Sequence, residues 1–106
     1  VIRSAFDPQF RADIDNLGAH ITDMTGDPEA ALRRIREVDA LVRQILLNPL
    51  SGYRLHGPLE GYLRRSGGRD NKISIIFEPC IEENYVLFLL ASFGGQNWST
   101  TAAARL

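Results

Sequence analysis

The chain has 106 residues, 44% of them hydrophobic and 24% charged, and carries a formal net charge of −1. That length supports one cored domain and not two, and that charge excludes a protein that coats nucleic acid by electrostatics alone. No run approaches the roughly 18 apolar residues of a spanning helix and no basic-then-apolar leader opens the chain, so no membrane role is expected and the default compartment is the cytoplasm.

Val1 to Ser4 reads as a short edge strand; opening on Val1 leaves room for missing leading residues and a clipped strand. Asp7-Pro8 marks a helix start, because the Asp side chain accepts backbone N–H bonds at the cap and Pro fits the first helical position. Phe10, Ile14, Leu17, Ile21 and Met24 follow at alternating steps of four and three. This single stripe predicts a helix from Pro8 to about Met24, weakened at Gly18, with Phe10 and Met24 in the core. Thr25-Gly26 closes it. Asp27-Pro28-Glu29 opens a second helix by the same logic, with an acid near the positive end of its dipole. Ala31, Ile35, Val38, Val42 and Ile45 repeat the spacing, Leu32, Leu41 and Leu46 widen the stripe, and Asn48-Pro49 ends it. So short a connection folds the two helices back as an antiparallel hairpin. Arg33, Arg34, Arg36, Glu37 and Arg43 sit mostly off the stripe, where solvation and i,i+4 pairing account for them.

Ser51-Gly52 and His56-Gly57-Pro58 punctuate a linker. Beyond it, Tyr62 to Arg65, Lys72 to Glu78 and Tyr85 to Phe93 read as a three-stranded antiparallel meander, joined by a turn over 66–71 and a loop over 79–84. The last run is apolar on both alternating faces, which predicts a central strand covered on both sides, with the hairpin supplying a covering layer. In the middle run Ile73, Ile75 and Phe77 share one face, and Lys72, Ser74, Ile76 and Glu78 the other, a mixed face where polar chemistry fits. After Gly94 comes a tail whose Ala102-Ala103-Ala104 favours a short helix but is too short alone to secure one. The predicted class is α+β: a helical hairpin over 8–47 packed on a small antiparallel sheet over 55–93, with a tail over 94–106, in one domain spanning 1–106.

Charge is unevenly distributed. Residues 1 to 48 hold six Arg against eight Asp and Glu, whereas Arg54, Arg64, Arg65, Arg69 and Lys72 face only Glu60 and Asp70 in the segment they span. Such a segment is either a local basic face or a solvated sheet face. Cys80 is the only cysteine, which rules out an internal disulfide, agrees with a reducing compartment and, with two scattered histidines, gives no zinc spacing. Nothing in the spacing supports a Cys–His nucleophile pair. Gly67-Gly68 and Gly94-Gly95 are turn signals without a phosphate-loop pattern.

Asn48-Pro49, Gly52, Leu55-His56-Gly57, Leu63-Arg64-Arg65, Asn71-Lys72-Ile73 and the apolar run from Val86 to Gly94, preceded by two helices, resemble the RelE/ParE toxin superfamily of bacterial toxin–antitoxin systems over about residues 45 to 97. The resemblance implies a compact α+β toxin neutralised by a cognate antitoxin protein, laid across the mixed sheet face or along the hairpin, where Leu41 and Leu46 form an exposed stripe edge. Its ribonuclease members cut mRNA on the ribosome without metal or other cofactor. Arg64, Arg65, Lys72 and Gln96 are the implied catalytic positions, and Arg54, Arg69, Asn97 and Trp98 the implied substrate contacts. The cations are expected on one accessible surface, although Arg64 and Arg65 alternate in direction and Lys72 lacks the bidentate fork of an arginine. Beyond Gly94 many such nucleases carry Arg, His or an acid and then Tyr. Here Gln96, Asn97 and Trp98 stand instead, and neutral amides are poor acids and bases. His56, ahead of Gly-Pro, reads as a turn residue rather than a general acid, and His20 has no partner suggested by sequence. Two functions stay open: a RelE-like mRNA endoribonuclease, or a noncatalytic member, either a ParE-like toxin acting on DNA gyrase or a degenerate antitoxin-binding module.

Overall fold

The computed structural model describes residues 1–94 and 97–106. In chain order it comprises β1 (Arg3–Phe6), α1 (Phe10–Thr25), α2 (Pro28–Leu47), β2 (Tyr53–Arg54), β3 (Leu63–Gly67), β4 (Ile73–Cys80), β5 (Tyr85–Phe93) and α3 (Trp98–Ala104), with single 3-10 turns at Gly57–Leu59 and Arg69–Asn71. The α+β class and the helical hairpin stand as expected. The sheet is larger and mixed: five strands in the order β1-β5-β4-β3-β2, with β1 parallel to β5 and the other pairs antiparallel. The expected three-strand meander over 55–93 is therefore its middle, extended on one edge by β2 from within the presumed linker and on the other by β1.

Local chemistry explains the helix ends. The Asp7 N–H still bonds the Phe88 carbonyl at 2.8 Å, so the chain has not yet left the sheet there. The Asp7 carboxylate instead accepts from the Gln9 N–H, and the helix starts at Phe10 rather than Pro8. Asp27 caps α2 through the Glu29 N–H, with Pro28 at the first position. Gly18 sits where the hairpin helices meet: a Cβ there would lie 3.2 Å from Ile35 Cδ1. A residue that weakens an isolated helix thus lets two helices approach.

Both sheet faces are covered. On one, Phe10, Leu17 and Ile21 of α1 and Val38, Leu41 and Ile45 of α2 pack on Ile73, Ile75, Phe77, Val86 and Phe88. On the other, Leu59, Ala102 and the partly buried Trp98 cover Ile76, Leu89 and Leu90. β5 is accordingly buried on both sides, as its unbroken apolar run predicts. The mixed face is not open: α3 lies across it, and Ser74 and Ile76 are buried. Met24 is exposed although it lies on the apolar stripe, and Leu41 is buried against Gly67 instead of forming an exposed edge. Pro79 and Cys80 belong to β4 rather than a loop. They lie beyond the last β3 partner, Leu63↔Phe77, where β5 is the only neighbour and proline is tolerated.

A bulge marks the middle of β5. Ile76 pairs with Leu90 and Phe77 with Phe88, leaving Leu89 as the extra residue. The β1 partnership also ends at Phe88, so the rest of the β5 edge has no strand beside it. Side chains complete it. Asp13 of α1 accepts from the Ala91 N–H at 3.0 Å, and Arg105 donates to the Leu89 carbonyl at 2.9 Å. The two side chains bond each other at 2.6 and 2.7 Å and are only 10% and 8% exposed. This fork-to-fork pair closes the ladder where a backbone would otherwise be orphaned, and it ties α1 to the end of α3.

Candidate functional site

Strand alternation sends the two central arginines to opposite faces of β3. Arg65 shares the helix-side face with Leu63, and its guanidinium donates to Ser51 Oγ at 2.7 Å and Gln44 Oε1 at 3.2 Å. It braces the segment after α2 against the sheet. Arg64 points to the α3 side, where its Nε and Nη2 donate to Ser74 Oγ at 3.3 and 3.2 Å. The Arg64 guanidinium carbon lies 4.9 Å from the centroid of the Trp98 ring, a cation–π contact. Gly52, at φ +149°, lets β2 approach Arg64 from its own edge: a Cβ there would stand 2.9 Å from the Arg64 carbonyl oxygen.

Ser74 is itself one of a row. Ser66, Ser74 and Ser92 are register partners across β3, β4 and β5, and the Ser66 and Ser74 hydroxyls are 3.3 Å apart. Arg64 is therefore half-buried, oriented by a buried hydroxyl and an indole, and has no carboxylate within ion-pairing distance among the described residues. Among the described residues two of its five N–H donors are engaged, neither of them on Nη1. Arg11, Arg33, Arg34, Arg43 and Arg105 by contrast all face acids.

The other expected residues do not gather there. Lys72 follows a 3-10 turn with φ −83° and ψ −11°, so strand alternation does not govern its direction. It lines a separate cavity of about 260 Å³ with Arg33, Arg34, Arg69 and Asp70. In that corner Glu37 already forms an ion pair with Arg34, Oε2 to Nε 3.1 Å, and accepts from the Arg69 backbone N–H at 3.1 Å. Arg54 is exposed on β2 and borders a third cavity, of about 410 Å³, with His56 and Tyr62. Asn97 and Trp98 do lie on the Arg64 side, at the start of α3. Gln96 falls outside the described residues. The expectation of one cationic surface is thus corrected: Arg64, Trp98 and Asn97 share a region, while Arg65, the Lys72–Arg69 corner and Arg54 occupy three others.

His20, without a partner by sequence, lines a cavity of about 210 Å³ together with Asp13, Ser92, Asn97 and Trp98, and its ring stands edge-on to Phe93 at 6.5 Å. Cys80 is a poor nucleophile. Burial pushes its thiol up, outweighing the Tyr85 hydrogen bond that lowers it, and Glu78 adds to the rise. Burial, then Glu78, likewise pushes the Tyr62 phenol up. Hydrogen bonding to Asp13 drives the Arg105 guanidinium up against the opposing effect of its burial. Among the described residues no three His, Cys, Asp or Glu side chains come together as a metal site.

No protein-family model and no curated protein matches the chain. Among solved structures, a chain of the chromosomal ParDE TA system from P. aeruginosa superposes with a TM-score of 0.68 at 18% identity, covering 88% of this chain and 96% of that one. The isolated E. coli RelE toxin superposes with a TM-score of 0.59 at 11% identity, covering 99% and 97%. Identities this low speak to architecture, and the architecture agrees across nearly the whole of each chain. The helical hairpin, the five-stranded mixed sheet and the helix across its far face together make a fold similar to that of these ParDE and RelE structures.

Proposed function

We propose that this protein is the toxin of a type II toxin–antitoxin pair, held inactive by an antitoxin protein, and that when released it cleaves mRNA on the ribosome in the cytoplasm as a metal-independent endoribonuclease of the RelE kind. The observation that carries this reading is Arg64, a guanidinium fixed by Ser74 and Trp98 with no acid to neutralise it. The ribose 2′-oxygen loses its proton to water and attacks phosphorus, the P–O5′ bond breaks, the 5′-oxygen takes a proton from water and a 2′,3′-cyclic phosphate is left. On the way a nonbridging oxygen hydrogen-bonded to Nη1 gains negative charge. A donor already in place for that charge stabilises the transition state more than the ground state. Trp98 adds an aromatic surface beside the phosphate, the pairing used by proteins that bind single-stranded RNA. Arg69 and Lys72 line one cavity and Arg54 another, both distinct from the one Trp98 borders, so in this reading they contact the RNA backbone further along.

A second reading, a ParE-like toxin acting on DNA gyrase, draws support from the greater similarity to the ParDE chain in both TM-score and identity. The two separate on induced expression with translation and DNA supercoiling followed in parallel. Translation is expected to stop while supercoiling persists, and Arg64→Ala to cut RNA cleavage by about 10²–10³-fold, the usual effect of removing one oxyanion donor. Loss of supercoiling with translation intact selects the gyrase reading. Full toxicity of Arg64→Ala refutes the site.

A further inference from the structure

The cavity between α1 and α3 adjoins the Arg64 site but differs from it in chemistry. It lies where the β1 pairing has ended, at Phe6↔Phe88, and α1 and α3 flank the part of β5 beyond. At about 210 Å³ it is smaller than the pockets that take drug-sized ligands and fits a single ring system. The carboxylate on its wall, Asp13, is engaged by Arg105 and by the Ala91 N–H. The other polar groups on its wall are the Asn16 and Asn97 carboxamides, the Ser92 and Thr101 hydroxyls, the His20 imidazole and the Trp98 indole.

That set suits a flat, uncharged heterocycle with donors and acceptors on its rim rather than a phosphate. Carboxamides present a donor and an acceptor side by side, the complement of a base edge, and the indole offers a surface to stack on. Trp98 joins the two sites, since the same ring that borders the cavity carries the Arg64 guanidinium. We infer that the α1–α3 cavity is a nucleobase subsite, holding the base of the nucleotide whose phosphate Arg64 grips, with Asn16 as a specificity-determining residue outside the catalytic group. This rests on the RNA-directed reading above and adds to it a place where base identity is sensed.

The test titrates the four ribonucleoside 5′-monophosphates and ribose 5-phosphate into the full chain and follows backbone amide resonances. At least one nucleotide is expected to bind tenfold or more tightly than ribose 5-phosphate, with shifts at residues 16–20 and 97–101. Asn16 is exposed on α1, so Asn16→Ala leaves the fold intact by circular dichroism. It is expected to erase the preference for nucleotides over ribose 5-phosphate while keeping affinity for the sugar phosphate. Arg64→Ala is expected to weaken both. Equal binding of nucleotides and ribose 5-phosphate, or an unchanged preference in Asn16→Ala, overturns the subsite even if the wild-type chain cleaves RNA. Base-dependent binding at these residues without any RNA cleavage upholds the subsite and sinks the ribonuclease reading.

Discussion

Arg105→Met removes one half of the pair that finishes the β5 edge. The side chain keeps an apolar stem and loses its guanidinium and charge, leaving Asp13 as an almost buried carboxylate with the Ala91 N–H but no cation, and the Leu89 carbonyl without the Arg105 donor. Removing one partner of a buried ion pair costs about 3–5 kcal/mol, chiefly because the survivor stays buried and uncompensated. Against a total stability of about 5–15 kcal/mol this is a large share. For a domain of this size each kcal/mol moves Tm by about 4–8 °C, so Tm is expected to fall by at least about 12 °C. Urea denaturation of the wild type, Arg105→Met, Asp13→Leu and the double variant closes a thermodynamic cycle. The double variant should recover part of the loss, since no charge is stranded, but not all, because the Ala91 N–H and Leu89 carbonyl remain unpaired at about 1–3 kcal/mol each. A loss below 1 kcal/mol in Arg105→Met, or strict additivity of the two single changes, refutes the clamp.

At Gly18, replacement by Ala sets a helix-propensity gain of about 1 kcal/mol against a Cβ 3.2 Å from a flexible Ile35 methyl, so thermal unfolding should change little. Gly18→Val, with two more carbons in the same gap, should lose about 1–3 kcal/mol, and an unaffected Tm would show that the helices are not in close contact there. Cys80 in the native chain should react with iodoacetamide at pH 8 more slowly than in the urea-unfolded chain, because its thiol is held above the ordinary 9.0. The folded state keeps that proton longer than the unfolded one. This contribution to stability is therefore complete below the unfolded pKa and is lost as pH rises through the folded value, whereas equal alkylation rates in both states would contradict the shift.

What the sequence disclosed follows the range of each interaction. The hairpin was legible because Phe10 to Ile21 and Ala31 to Ile45 repeat at helical spacing within one segment, and the strand cores because β4 and β5 alternate or saturate locally. β1 was legible as an edge strand but its parallel pairing with β5 was not, since no local pattern records which distant strand completes a ladder. The opposition of Arg64 and Arg65 came directly from strand alternation. The expected convergence of Lys72 failed for a local reason as well: a helical backbone just before β4, hidden in a turn that invited an extended reading. The serine row and the Asp13–Arg105 pair left no trace, because each forms only when segments far apart in the chain are brought into register.

The edge of β5 also bears on how the chain reaches this state. Its neighbours there are β1 and the Asp13–Arg105 pair, contributed by the first and last segments of the sequence, so its ladder demands some of the largest loop closures in the molecule. Such closures are entropically slow and precede any reward, whereas the helical hairpin needs only neighbours in sequence. Until they occur, nine uncharged and mostly apolar residues, Tyr85 to Phe93, present an unsatisfied backbone edge. Refolding should accordingly show a fast helical phase and a slower sheet-completing phase, with yield that drops as protein concentration rises.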